Sequence, residues 1–158
     1  MNEERLYFAY GSNMNLSQMA RRCPEAVAFS PAVLHDYKLA FRGHGVATII
    51  PCKGESVPGL LWHISPDSEA SLDRYEGVSA QLYGKREVAV TDPTGETHRA
   101  MVYIMNPRYR AACPPTPWYL KGIREGYAAF SISTEPLFKA VRQALHAVRE
   151  RHESPSKR

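Results

Sequence analysis

Apolar and β-branched runs dominate the first two-thirds of the chain, where they predict β-strands. The pattern places strands at 5–10, 33–41, 45–50 and 57–64, and a hairpin of two strands, 83–91 and 97–105, around a turn at 92–95. Gly59 lies inside the fourth of these strands, where a glycine indicates a bulge or a close approach of another backbone.

Helices are predicted where capping residues precede a helical pattern. A short helix is expected over 16–22, stopped by Pro24, and another begins near Trp118. The clearest start is at Ser65, an N-cap residue followed by Pro66 at the first helical position. That helix is expected to run to Tyr75 and to end at Gly77.

A long final helix is predicted from about Glu135 to Arg151. One of its faces carries four apolar residues: Leu137, Val141, Leu145 and Val148. Strands early and helices late predict an α+β fold, with a curved mixed sheet or partial barrel and helices outside it. The 158 residues suit a single domain, placed at 1–150, followed by a C-terminal tail at 151–158.

Composition and charge exclude several classes of protein. The chain is 44% hydrophobic and 23% charged, and its formal net charge is +4, part of which lies in the tail. No basic stripe is interleaved with aromatic residues, so no nucleic-acid partner is expected. The sequence has no apolar run of about 18 residues, and its opening, MNEERLYFAY, is unlike a signal peptide. We therefore expect a cytoplasmic protein without a membrane partner.

Neither cysteine nor histidine spacing predicts a metal site. Cys23, Cys52 and Cys113 are far apart and form no C-x-x-C pair, so each is interpreted as a small buried hydrophobic residue. The six histidines are scattered, without a spacing such as H-E-x-x-H. We expect neither a metal ion nor another cofactor.

The first candidate for chemistry is the segment YFAYGSN at 7–13, a strand that breaks into a glycine-containing turn before a helix. Such a turn can direct backbone N–H groups at an anion, and Gly11 allows a ligand to approach closely. Ser12 and Asn13 add side-chain hydrogen-bonding groups and can also cap the helix that follows. The alternative is a plain capped connection between strand and helix.

The second candidate is Glu76, at the expected end of the helix that begins at Ser65. A carboxylate there faces the negative end of the helix dipole, which disfavours its charge. Burial beside Leu72, Tyr75 or Tyr83 would raise its pKa further, as general acid–base catalysis near neutral pH requires. The alternative is an exposed glutamate before a capping glycine.

A proline-rich loop, PPTPWY at 114–119, is the third candidate, because it can hold the hydroxyl of Tyr119 in one place. Alternatively it is a rigid surface turn with Trp118 and Tyr119 packed on the core. The chain has no G-x-S-x-G motif, so Ser12 is not expected to be a nucleophile. Four further polar residues are interpreted as structural: Asp36, Arg42, His44 and His63.

Five segments, taken together and in order, resemble the γ-glutamylcyclotransferase family, which includes γ-glutamylamine cyclotransferases. They are YFAYGSN at 7–13, GVATI at 45–49, GLLW at 59–62, LDRYEGV at 72–78 with Tyr83 following, and PPTPWY at 114–119. The resemblance covers roughly residues 6–145, and the C-terminal helix and tail match least well.

The resemblance implies a small β-barrel with peripheral helices and a cavity at its mouth. It also implies that Glu76 is the general acid–base residue in a reaction that releases 5-oxoproline from a small γ-glutamyl substrate. The substrate-binding residues that it implies are Tyr7, Phe8, Ala9, Tyr10, Gly11, Ser12, Asn13 and Tyr119. The substrate supplies its own nucleophile, so this chemistry requires no metal or cofactor.

Three points stay open at this stage. The leaving group is either an amino acid or, in a γ-glutamylamine cyclotransferase, an amine from a biosynthetic pathway. A non-catalytic binding module of the same fold is the alternative from another class, although such a module has little use for an ionisable Glu76. The oligomeric state is also open, with a homodimer as one option.

Overall fold

Five strands close into a barrel in the computed structural model, which describes residues 5–152. The strands are β1 (Arg5–Ala9), β2 (Val27–Arg42), β3 (Val46–Ile64), β4 (Tyr83–Thr91) and β5 (Thr97–Met105). Their order around the barrel is β1-β3-β2-β4-β5, and β1 closes it by pairing in parallel with β5. The remaining neighbours are antiparallel, so the sheet is mixed. The predicted α+β class and barrel are confirmed.

The long hairpin of β2 and β3 differs from the prediction. The segments 45–50 and 57–64 belong to one strand, because residues between them continue the pairing with β2, as in Tyr37 opposite Pro51. This stretch is mostly exposed or only partly buried, so it lacks the strict apolar alternation that marks a half-buried strand. The Gly43–Gly45 turn between the strands uses positive φ angles of 65° and 83° at its two glycines.

Helices surround the barrel. They are α1 (Leu16–Arg22), α2 (Pro66–Tyr75), α3 (Pro117–Ala129) and α4 (Glu135–His152), and a 3₁₀ turn at Ser12–Met14 precedes α1. The predicted cap of α2 is confirmed, because Ser65 Oγ accepts a 3.1 Å hydrogen bond from the Ser68 N–H. None of the helices within residues 5–152 combines the length and apolar character needed to cross a membrane.

Helix α4 packs against β2, and its buried face is slightly rotated from the prediction. Leu137, Ala140 and Ala144 are buried, whereas Leu145 is 46% exposed. The two alanines share the face of Leu137 at helical spacing, and their small side chains bring α4 close to the sheet. The first two residues of the predicted tail, 151 and 152, are the end of α4, and residues 153–158 lie outside the described part of the chain.

Tight backbone contacts fix the elements that carry the candidate residues. An added Cβ at Gly59 would lie 2.6 Å from the Phe8 ring, so β3 approaches β1 as closely as the sequence predicted. An added Cβ at Gly126 would lie 2.8 Å from the backbone of Met14, so α3 rests directly on the 3₁₀ turn. These contacts hold the end of β1 in a fixed position.

Candidate active site

A cavity of about 310 Å³ collects most of the predicted site residues. Of the nine, seven line it: Tyr7, Tyr10, Gly11, Ser12, Asn13, Glu76 and Tyr119. Phe8 and Ala9 do not line it; both are buried, the ring of Phe8 and the carbonyl of Ala9 lying where β1 meets Gly59. The structure therefore brings together three segments that are far apart in sequence.

The turn after β1 leaves its polar groups available to the cavity. The first hydrogen bond of the 3₁₀ turn is donated by the Met14 N–H to the Gly11 carbonyl at 3.0 Å. The N–H groups of Ser12 and Asn13 come before this bond, so they have no acceptor within the 3₁₀ turn. An added Cβ at Gly11 would lie 3.2 Å from the Ala47 side chain, which leaves little room for a larger residue.

The cap of α1 is Asn15, not Ser12 or Asn13 as the sequence suggested. Asn15 Oδ1 accepts from the Gln18 N–H at 3.0 Å, and its Nδ2 donates to the Gly122 carbonyl at 2.9 Å. The Asn13 carbonyl accepts from Trp62 Nε1 at 3.0 Å. The Ser12 and Asn13 side chains are therefore not used to cap α1, and both residues line the cavity.

Glu76 forms the C-cap of α2, and Gly77 follows it with a φ of 66°. Both the predicted helix end and its glycine are confirmed. Burial raises the pKa of Glu76 from 4.5 to about 7, and the positive charge of Arg22 opposes this rise only in part. Asn13 Nδ2 lies 3.5 Å from Glu76 Oε2 and 2.9 Å from the Tyr7 hydroxyl. No cation forms a salt bridge with Glu76 among the residues described.

Arg22 organises the polar side of the cavity, a role that the sequence analysis did not predict. Its Nη1 donates to Asn13 Oδ1 and, at 3.3 Å, to Ser12 Oγ, while its Nη2 donates to Gln18 Oε1 at 2.7 Å. Its guanidinium also lies 3.8 Å from the centroid of the Tyr75 ring. Because Arg22 takes the Asn13 oxygen, the amide nitrogen of Asn13 faces Glu76. An arginine in the last turn of a helix is common, so its position alone does not single it out.

Two tyrosine hydroxyls form hydrogen bonds with the backbone of one residue of β3, Ala47. The Tyr119 hydroxyl accepts from the Ala47 N–H at 3.0 Å, and the Tyr83 hydroxyl donates to the Ala47 carbonyl at 2.6 Å. Tyr119 therefore keeps its own proton for an acceptor in the cavity. Trp118, which the alternative interpretation packed on the core, is 69% exposed.

The buried phenols of the cavity remain neutral. Burial is the largest cause that raises the pKa of Tyr7, Tyr10, Tyr83, Tyr103 and Tyr119 above the ordinary value of 10.0. They can therefore donate hydrogen bonds, but they cannot serve as bases near neutral pH. Among the described residues that line the cavity, Glu76 is the one carboxylic acid.

His44 lines the cavity, contrary to its interpretation as structural. It lies in the β2–β3 turn, whose position relative to Glu76 depends on barrel closure and cannot be read from local sequence. The three polar residues grouped with it do not line the cavity: Asp36 accepts from the Gly54 N–H, Arg42 pairs with Ala112, and His63 packs edge-on against Phe29.

The cysteines and one acidic cluster lie outside this cavity. Cys23 is buried as predicted, whereas Cys52 and Cys113 are only partly buried. The described residues also contain one group with metal-ligand atoms within 4.8 Å of one another: Asp92, Glu96 and His98. It belongs to the β4–β5 turn, where Asp92 accepts from Thr94 and His98, and these bonds lower the pKa of Asp92. The hydrogen bonds explain this cluster as part of the turn.

Comparison with known proteins decides the family. Residues 7–121 match the model of a family described as γ-glutamyl cyclotransferase, AIG2-like. The chain belongs to this family. It is 37% identical over 134 residues to the γ-glutamylcyclotransferases of Bos taurus and Homo sapiens, covering 78% of this chain and 70% of each relative.

Solved structures agree with the family assignment. A structure described as a γ-glutamyl cyclotransferase superposes with a TM-score of 0.80 at 34% identity, covering 87% of this chain and 86% of the other. The chain is thus an enzyme of the γ-glutamylcyclotransferase type, and the resemblance seen in its motifs is confirmed. All seven predicted residues on the cavity fall within the matched range.

Proposed function

We propose that this γ-glutamylcyclotransferase releases 5-oxoproline from a γ-glutamyl-amino acid, or from the corresponding amide of an amine, with Glu76 as general acid and base. One observation supports this most strongly: among the described residues that line the cavity, the one carboxylic acid has a pKa raised to about 7, and the buried phenols around it are neutral. Such a group accepts and returns a proton near neutral pH with little bias toward either form.

The reaction closes a five-membered ring within the substrate. Glu76 removes a proton from the α-ammonium group, and the neutral amine attacks the γ-carbonyl carbon. The carbon–nitrogen bond of the new ring forms while the carbonyl oxygen becomes an oxyanion. Glu76 then donates its proton to the leaving nitrogen, the old amide bond breaks, and the carbonyl re-forms. The ring nitrogen still carries one excess proton from the original ammonium group. Glu76, now ionised again, removes this second proton and passes it to the departing amine. The products are 5-oxoproline and the amine as its ammonium ion, and Glu76 returns to its carboxylate form.

The remaining cavity residues bind and orient the γ-glutamyl group. The N–H groups of Ser12 and Asn13 and the free proton of the Tyr119 hydroxyl are donors for its anionic oxygens. Holding the substrate bent for ring closure supplies much of the acceleration, because well-oriented intramolecular reactions gain about 7–11 kcal/mol. The nucleophile belongs to the substrate, so no enzyme nucleophile or cofactor is needed.

The decisive experiment measures 5-oxoproline release from a panel of γ-glutamyl-amino acids and γ-glutamylamines. Glu76→Gln should lower kcat/KM by about 10²–10⁴-fold while the fold is retained. Glu69→Gln makes the same chemical change in the first turn of the same helix, α2, outside the cavity, and should leave activity unchanged. Undiminished release by the Glu76 variant would exclude this mechanism, and the best substrate would distinguish an amino acid from an amine as leaving group.

A further inference from the structure

A second, smaller hollow adjoins the cavity. It has a volume of about 60 Å³ and shares four lining residues with the cavity: His44, Val46, Leu82 and Tyr83. Beyond them it is closed by Gly43, Met105 and Tyr109. The hollow is therefore adjacent to the cavity, beside the start of β3 and the segment before β4.

The cavity and the adjacent hollow differ in chemistry. The turn residues Ser12 and Asn13 line the cavity together with Glu76 and do not line the hollow. Among the described residues that line the hollow, none is a lysine, arginine, aspartate or glutamate. The nearby cation Arg108 donates to Gln81 Oε1 at 2.8 Å and does not line it either.

We propose that the hollow binds an apolar side chain on the leaving amine, so that the enzyme prefers γ-glutamyl conjugates of aliphatic amino acids or amines. The inference rests on the proposed function, because it assigns the two ends of one substrate. The γ-glutamyl group carries an ammonium and a carboxylate and belongs with the polar end. The leaving group then extends toward the hollow, where desolvating a charge would be costly and burying an aliphatic group favourable.

The size of the hollow limits the group that fits. One water-sized sphere needs roughly 10–15 Å³, so about 60 Å³ accommodates a chain of about four carbons. Branched side chains such as that of leucine match this space. A hydrogen or a methyl group would leave much of it unfilled.

Leu82 forms the boundary between the two spaces and is held in place by its backbone. Its N–H donates to the Gly77 carbonyl at 3.0 Å, and its carbonyl accepts from the Asn106 N–H at 2.8 Å. An added Cβ at Gly77 would lie 2.7 Å from Leu82 Cδ1, so this glycine provides the room that the leucine occupies. Glu76 and Leu82 thus belong to one short loop, which couples the position of the acid–base group to the wall of the hollow.

The test compares γ-glutamyl-leucine with γ-glutamyl-asparagine, whose leaving groups have nearly the same shape but opposite polarity. We expect kcat/KM for 5-oxoproline release to be about 10- to 100-fold higher for the leucine conjugate. Equal values for the two would overturn this inference and leave the proposed function intact. Absence of release from the whole γ-glutamyl panel would instead overturn the proposed function.

A variant locates the preference at the hollow. Leu82 is 41% exposed, so Leu82→Gln should fold, and it should lower kcat/KM for the leucine conjugate about tenfold with little change for the asparagine conjugate. Leu145→Gln is the matched control, because Leu145 is 46% exposed on α4 and lines neither space. A preference unchanged by Leu82→Gln would show that the hollow does not select the substrate.

Discussion

Helix α2 carries two glutamates in opposite environments. Glu69, on its first turn, lies 2.6 Å from the Lys85 ammonium and 3.0 Å from the Arg5 guanidinium. Glu76, at its C-terminal cap, has no such partner within residues 5–152, and its side chain lies 3.5 Å from the Asn13 amide nitrogen. One carboxylate forms salt bridges with two cations, whereas the other is buried in a cavity that opposes its charge. The difference separates a residue that supports the fold from one suited to proton transfer.

The largest expected effect is on stability at alkaline pH. Glu76→Gln should raise the free energy of unfolding by up to about 3 kcal/mol at pH 9, since a pKa rise from 4.5 to about 7 has that free-energy equivalent. At pH 4 both side chains are neutral, and the difference between wild type and variant should vanish. Urea unfolding followed across this pH range measures it.

The sign follows from proton binding. Between pH 4.5 and 7 the native state keeps the Glu76 proton while the unfolded state loses it, so this group's contribution to wild-type stability falls as pH rises through that window. Glu69→Gln is the control and should show no stabilisation at alkaline pH. A Glu76 variant that is equally destabilised at every pH would contradict the assignment of a raised pKa.

The next effect concerns Arg22, whose charge lowers the pKa of Glu76 and whose guanidinium holds Asn13 and Ser12. Arg22→Met should move the acid limb of the pH profile of kcat/KM to higher pH and reduce kcat/KM at pH 7 by about two- to tenfold. Arg22→Lys keeps the charge but not the forked contacts. Arg22→Lys should therefore restore the position of the acid limb but not the full kcat/KM. If the acid limb does not move in Arg22→Met, the charge of Arg22 does not act on the pKa of Glu76.

A smaller effect is expected at Tyr119, which lines the cavity and whose hydroxyl accepts a hydrogen bond from the Ala47 N–H. Tyr119→Phe removes the hydrogen bond that we propose this hydroxyl donates to the substrate, worth about 1 kcal/mol, so KM should rise about fivefold with a smaller change in kcat. Steady-state kinetics on the best substrate separate the two constants. A fall in kcat at constant KM would instead place the hydroxyl in the transition state.

Local chemistry explains which parts of this molecule were predictable from sequence. The ends of α2 are set by short-range capping at Ser65, Pro66 and Gly77. The turn in the segment 7–13 is indicated by Gly11. Glu76 stood out because a carboxylate at a helix C-terminus violates a local preference. Each of these inferences requires only neighbours within a few residues.

Features that depend on barrel closure were not predictable. Arg22 meets Tyr75, and Ala47 meets both Tyr83 and Tyr119, only after distant segments pack together. The capping role of Asn15 was missed because Ser12 and Asn13 are equally good caps by type. Contacts between segments that are distant in sequence therefore determine which of several equally suitable residues takes each role.

The smallest expected effect returns to Glu69. Its partners are partly exposed, Arg5 at 41% and Lys85 at 32%, so solvent screens the pairs and each is worth only about 0.2–1 kcal/mol. A double-mutant cycle of Glu69→Gln with Lys85→Met should return a coupling energy in that range, decreasing with added salt. A coupling that exceeds the stability change at Glu76 would reverse the comparison. The helix would then be held chiefly by its surface pairs, and the cost of burying Glu76 would be a minor term in its stability.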